Sequence, residues 1–147
     1  MKKAAFTQLK EELNAKRQEL LTLVKGMESA RNSEDKSSAG DKHETARAMA
    51  QNELDKYQNQ LSLLNKSLTF LGQIDPDKEC KTIESGALVK TNEGHYLFAI
   101  SHGRIEVQNQ DLFVISMAAP IGQAFATKKV GDEILFQGRN IKIEAIS

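Results

Sequence analysis

Hydrophobic positions along this chain change their spacing once, near residues 72–77. Upstream, apolar residues recur at steps of three and four; downstream, the spacing shortens towards alternation and glycines and β-branched residues become frequent. The clearest helical run is Ala50, Leu54, Tyr57, Leu61, Leu64, Leu68 and Leu71, whose 4-3-4-3-4-3 steps keep one narrow apolar seam turned towards a partner helix. A similar seam precedes it at Leu9, Leu13, Leu20, Val24 and Met27, widened by Leu21 and Leu23 and interrupted by Lys16 and Arg17. Two seams joined by a short polar loop pair antiparallel within one chain or else oligomerise, and the intramolecular hairpin is the reading adopted. With about 25 helical residues in each arm at about 1.5 Å rise, the rod is on the order of 40 Å long.

The joint is Gly72-Gln73-Ile74-Asp75-Pro76-Asp77. Gly accepts the left-handed cap at a helix end, and Pro cannot continue the helix. Beyond it the pattern predicts strands at Ala87–Thr91 and Tyr96–Ile100 around an Asn92-Glu93-Gly94 hairpin signal, then at Arg104–Val107 and Leu112–Ser116. A short helix with Pro near its first turn follows over Pro120–Thr127. Val130-Gly131-Asp132 then turns the chain into Glu133–Phe136, and Gln137–Asn140 turns it again into Ile141–Ile146. The expected architecture is α+β: an antiparallel coiled-coil hairpin over residues 1–75, with an acidic tip near 31–44, and a small α+β domain over 76–147.

Composition narrows the function. Twenty basic and twenty acidic residues among 147 leave a formal net charge of zero, which disfavours binding nucleic acid by neutralising phosphates. Cys80, the single cysteine, rules out an internal disulfide, has no Cys or His at ligand spacing, and reads as a small, partly buried residue. The first residues pass directly into Gln8, Lys10, Glu11 and Glu12 without an apolar core, and no long apolar span follows. The expectation is a cytoplasmic protein that does not enter membranes.

Candidate chemistry sits between the helical arms. Residues 31–40 are polar throughout, and Asp41 and Glu44 follow at capping-box spacing, where carboxylates accept unpaired backbone N–H groups and complement the helix dipole. A carboxylate one turn into a helix still projects beyond its end. Two carboxylates are too few for a closed Mg²⁺ site, so no metal is expected to bind stably to this chain alone. They suffice to complete a site that belongs to a partner, steadying a second ion and orienting a water. His43, between them, reads as a solvated side chain.

Two segments carry a family resemblance. Gly40-Asp41-Lys42-His43-Glu44-Thr45-Ala46, opening the second arm, and Ile115-Ser116-Met117-Ala118-Ala119-Pro120-Ile121-Gly122, followed by a short helix and Lys129-Val130-Gly131-Asp132-Glu133-Ile134, resemble the bacterial Gre transcript-cleavage factors, a family of transcription elongation factors. Leu9-Lys10-Glu11-Glu12-Leu13 looks like the opening of the Gre first helix, so the resemblance runs over nearly the whole chain. It implies an FKBP-like C-terminal domain docked at the rim of the secondary channel of RNA polymerase, with the coiled coil entering that channel. It further implies that Asp41 and Glu44 assist the polymerase's own Mg²⁺ in cleaving backtracked RNA. The contact with nascent RNA is then indirect, the chain is a monomer, and it is no enzyme by itself. Where typical cleavage factors carry Asn-Ala-Glu-Tyr after the second carboxylate, this chain has Thr45-Ala46-Arg47-Ala48. The alternative within the family is a channel-binding regulator without cleavage stimulation.

Ser116, Met117, Ala118, Ala119, Pro120 and Ile121 have two readings: a buried strand end with a helix cap, or an apolar lip meeting the polymerase rim, with Met117 and Ile121 as anchors. Lys10, Arg17 and Lys25 read as a solvated face. Two other classes are kept. An FKBP-like fold also hosts peptidyl-prolyl isomerases, although Tyr96, Phe98, Phe113, Phe125 and Phe136 are spread over core-like positions. A self-associating coiled-coil adaptor would be an oligomer in light scattering.

Overall fold

The structure, a computed structural model, describes the backbone of residues 1–35 and 41–147 and the side chains of residues 1–30 and 44–147. Two long helices, α1 (Lys2–Asp35) and α2 (Asp41–Gln73), form a hairpin. Six strands and one short helix follow: β1 (Leu88–Thr91), β2 (Gly94–Ala99), β3 (Gly103–Val107), β4 (Gln110–Ser116), α3 (Pro120–Phe125), β5 (Glu133–Phe136) and β6 (Arg139–Ile146). The α+β architecture expected from the pattern is therefore present. Contacts divide the chain into two compact units: Glu11–Leu68, and Met1–Lys10 together with Thr69–Ser147.

In the first unit the seam is narrow. Leu20, Val24, Leu54 and Leu61 are buried together, and Met27, Tyr57 and Leu64 pack against them. Across the arms, Arg17 Nε donates to Asn65 Oδ1 at 2.9 Å. Leu21 and Leu23, expected to widen the seam, are instead 38% and 39% exposed, because a single partner helix covers only one stripe. Helix α1 also carries residues 31–35, read from sequence as loop, and with 34 residues it is about 50 Å long rather than 40 Å. No Gly or Pro falls between Met27 and Asp35 to stop it.

The second unit is built on a six-stranded sheet in the order β3-β4-β2-β1-β6-β5. All its pairings are antiparallel except β2 with β4, where His95–Ala99 runs parallel to Leu112–Ser116. Strand β4 is thus inserted between β2 and its chain neighbour β3. Strand β2 alternates between two buried faces. On one, Tyr96 and Phe98 each hold the ring of Phe125 from α3 at a centroid distance of 5.4 Å. Cys80, Ile83, Val89, Ile134, Ile141 and Ile143 complete that core. On the other face Leu97, Leu112 and Val114 are fully buried, and the buried residues of the helix ends, Phe6, Leu9 and Leu71, belong to the same unit.

Turn chemistry sets the registers. The β3–β4 turn, Gln108-Asn109, and the β5–β6 turn, Gln137-Gly138, have positive φ at both positions, which is the two-residue hairpin geometry that matches strand twist. At Asn92, the side-chain Oδ1 accepts from Lys142 N at 2.7 Å and Nδ2 donates to Asn140 O at 3.2 Å, tying the β1–β2 turn to β6.

Candidate functional site

Helix α2 opens at Asp41, so Asp41 and Glu44 both stand in its first turn, where the positive end of the helix dipole favours carboxylates. Glu44 is exposed. The Asp41 side chain and His43 lie outside the described side chains, as does the cap geometry expected there. Three residues past Glu44, Arg47 is exposed, placing a cation on the same helical side as the carboxylate. Below these residues the Leu20–Leu61 seam holds the two arms together. Among the described residues, no three His, Cys, Asp or Glu side chains converge on a point that would hold a metal ion.

The second predicted site, Ser116–Ile121, is a tight strand-to-helix corner. Ser116 Oγ accepts from Ala118 N at 3.1 Å, Ser116 O accepts from Ala119 N at 3.1 Å, and Gln123 Nε2 donates to Ala118 O at 3.3 Å. Pro120 occupies the first turn of α3, where its missing N–H costs nothing. Gly122 is buried flat against this corner: a Cβ there would collide with the carbonyl oxygen of Ser116 and come within 2.9 Å of the Met117 backbone. Met117 and Ile121 are half-buried and pack against the sheet core, so the exposed residues of the corner are Ala118 and Pro120. Asp41 and Glu44 belong to one compact unit and the corner to the other.

The aromatic residues that a prolyl-isomerase reading would need are spent on each other. Phe125 is fully buried between Tyr96 and Phe98, and Tyr96 also meets Phe113 at 5.7 Å. These are core contacts, and burial pushes the Tyr96 hydroxyl above its ordinary pKa.

A cluster that the sequence did not signal lies at the loop after α2. Lys2 is buried and its Nζ donates to Lys78 O at 2.6 Å, with Cys80 Sγ 3.9 Å away. Lys78 Nζ pairs with Glu84 at 3.0 Å. That hydrogen bond lowers the Glu84 carboxyl and raises the Lys78 ammonium. Burial raises the pKa of the Cys80 thiol, opposed by the Lys2 charge. A cleft of about 330 Å³ opens beside it, lined in part by Phe70, Ile74, Lys78 and Ser85.

No protein-family model matches the chain. No curated protein matches it either. Among solved structures it is similar to the transcription factor Gfh1, at 18% identity over 98% of this chain and 94% of that one, with a TM-score of 0.36. It is also similar to Gfh1 of Thermus aquaticus, at 13% identity over 97% and 91% of the two chains, with a TM-score of 0.34. At such values the likeness bears on neither mechanism nor partner. No described helix is long and apolar enough to cross a membrane.

Proposed function

We propose that this chain is a Gre-like transcription elongation factor that binds RNA polymerase, inserts its helical hairpin into the secondary channel and presents Asp41 and Glu44 to the polymerase active site. The observation that carries the reading is the hairpin itself. Two arms of 34 and 33 residues are held together by a narrow seam, and both carboxylates stand at the start of the second arm. At about 1.5 Å per residue each arm is about 50 Å long. The Ser116–Gly122 corner, resembling the family's second motif, supports it.

In this reading the Mg²⁺ ions belong to the polymerase. Asp41 and Glu44 add negative charge and hydrogen-bond acceptors beside the second ion and orient the attacking water, while the chain alone catalyses nothing. The segment Thr45-Ala46-Arg47-Ala48, which lacks the amide, the acid and the aromatic ring that typical cleavage factors carry there, supports a second reading, a channel-binding regulator without cleavage stimulation.

The test is RNA cleavage in backtracked complexes of the cognate polymerase with saturating purified chain. Stimulated cleavage that is lost in Asp41→Asn and Glu44→Gln, with polymerase binding retained, is the expected result. Binding with unchanged cleavage selects the second reading, and no binding removes both.

A further inference from the structure

The sheet ends in two edges built differently. In a two-residue hairpin, the residues flanking the turn exchange both hydrogen bonds, and every second pair beyond them does the same. For β5 and β6 the bonded pairs are Phe136 with Arg139 and Ile134 with Ile141. Ile143 N, donating to Asp132 O at 3.0 Å, continues the same alternation. Glu133 and Leu135 therefore turn their N–H and C=O groups away from β6, towards the open side of the last strand in the sheet. Leu135 is 76% exposed, and Val130, just before the strand, is 54% exposed.

At the opposite edge the same count turns Arg104 and Glu106 of β3 outward. Both are charged, and Arg104 is paired with Asp111 at 2.8 Å. That is how proteins block an edge against further pairing. The β5 edge lacks this protection at Leu135.

The surroundings of β5 select the occupant. Residues 128–142 carry four cations, Lys128, Lys129, Arg139 and Lys142, against two carboxylates, Asp132 and Glu133. Both carboxylates are engaged within the fold, Asp132 Oδ2 accepting from Lys129 N at 3.0 Å and Glu133 Oε2 accepting from Asn140 Nδ2 at 3.3 Å. None of the four cations has an ion pair among the described residues, and all four are exposed. We propose that the β5 edge is a docking site for an extended acidic segment of another protein, which adds a strand at Glu133–Leu135 and sets an apolar side chain against Leu135 and Val130. Backbone bonds give the pairing and the cations give the sign. Two copies of this chain joined edge to edge would oppose two net-positive surfaces, which disfavours self-pairing. Because β5 is only four residues long, the complex is weak and salt-sensitive. This inference is independent of the polymerase reading.

The probe is a ten-residue fluorescent peptide alternating Glu with Val or Ile, and a control in which each Glu is Lys. With the full chain labelled with ¹⁵N, the acidic peptide is expected to shift the Glu133 and Leu135 amides and slow their hydrogen exchange, and the basic control to do neither. Lys128→Glu combined with Lys129→Glu is expected to weaken binding at low salt, mainly by slowing association, and to reduce its salt dependence. Leu135→Glu is expected to abolish binding with an unchanged melting temperature, since Leu135 supports no core contact. No binding, equal binding of the basic peptide, or shifts confined to other amides overturns the proposal. So does protection of the β5 amides by dimerisation without peptide.

Discussion

The hairpin and the sheet domain are stabilised by different amounts of the same thing. The hairpin buries one file of side chains, Leu20, Val24, Leu54 and Leu61, between two helices otherwise covered by polar residues. The sheet buries both of its faces at its centre, where β2 alone places Tyr96, Leu97 and Phe98 out of water. Loss of one residue from a single file removes a local clasp, whereas loss of one from a two-sided core leaves a void that its neighbours cannot fill. The difference teaches that reach and stability reside in separate units. Each unit also holds one of the two tyrosines of a chain without tryptophan, Tyr57 in the hairpin and Tyr96 in the sheet. Fluorine-labelled tyrosine therefore reports the two separately.

The sharpest way to break the contrast is Phe98→Ala. It removes one of the two rings that enclose Phe125 and is expected to cost about 3–5 kcal/mol, with the Tyr96 signal melting early. Leu54→Ala, in the hairpin, is expected to cost about 2–3 kcal/mol and to shift the Tyr57 transition while Tyr96 is nearly unchanged. Equal shifts of both signals would show that the units unfold as one. Gly122→Ala overpacks the corner against the Ser116 carbonyl and is expected to cost about 1–3 kcal/mol, read at Tyr96 only. The smallest effect belongs to Lys78 and Glu84. Because Glu84 is lowered, its contribution is present above the ordinary carboxylate range and lost as pH falls through its own value. Because Lys78 is raised, its contribution is present below the ordinary lysine range and lost as pH rises through its own value. The melting difference between wild type and Glu84→Gln is thus expected to be confined to the window between, at the Tyr96 transition alone.

Local signals made most of the fold readable. The seam of α2 and its end at Gln73 follow from leucine spacing and the Asp75-Pro76 step, although Gly72 lies inside the helix and does not take the left-handed cap expected of it; the strands follow from alternation between turn residues. Three features were hidden because they depend on distant partners. Insertion of β4 between β2 and β3 is a long-range pairing with no local mark. The exposure of Leu21 and Leu23 depends on how many helices surround α1, which spacing alone does not count. Gln108-Asn109 turns at positive φ without a glycine to announce it. Of the candidate site, the helical placement of Glu44 and the corner at Ser116 were legible from spacing and from Pro120. The burial of Met117 and Ile121 was not, because both readings of that segment share one sequence. Leu135 had a faint signal: Ile134-Leu135-Phe136 puts three apolar residues in a strand with only one side covered.

One consequence concerns synthesis. The hairpin unit, Glu11–Leu68, is continuous in sequence and is complete once its second arm has left the ribosome. The sheet unit is not, because it includes the first ten residues, and Lys2 finds its acceptor only at Lys78. At about 5–20 residues per second, Phe6 and Leu9 wait on the order of ten seconds for the strands that share their unit. During that interval the finished hairpin is the tether that keeps the two ends of an unfinished domain close together, so a hairpin too weak to form early is expected to lower the yield of folded sheet without changing its final stability.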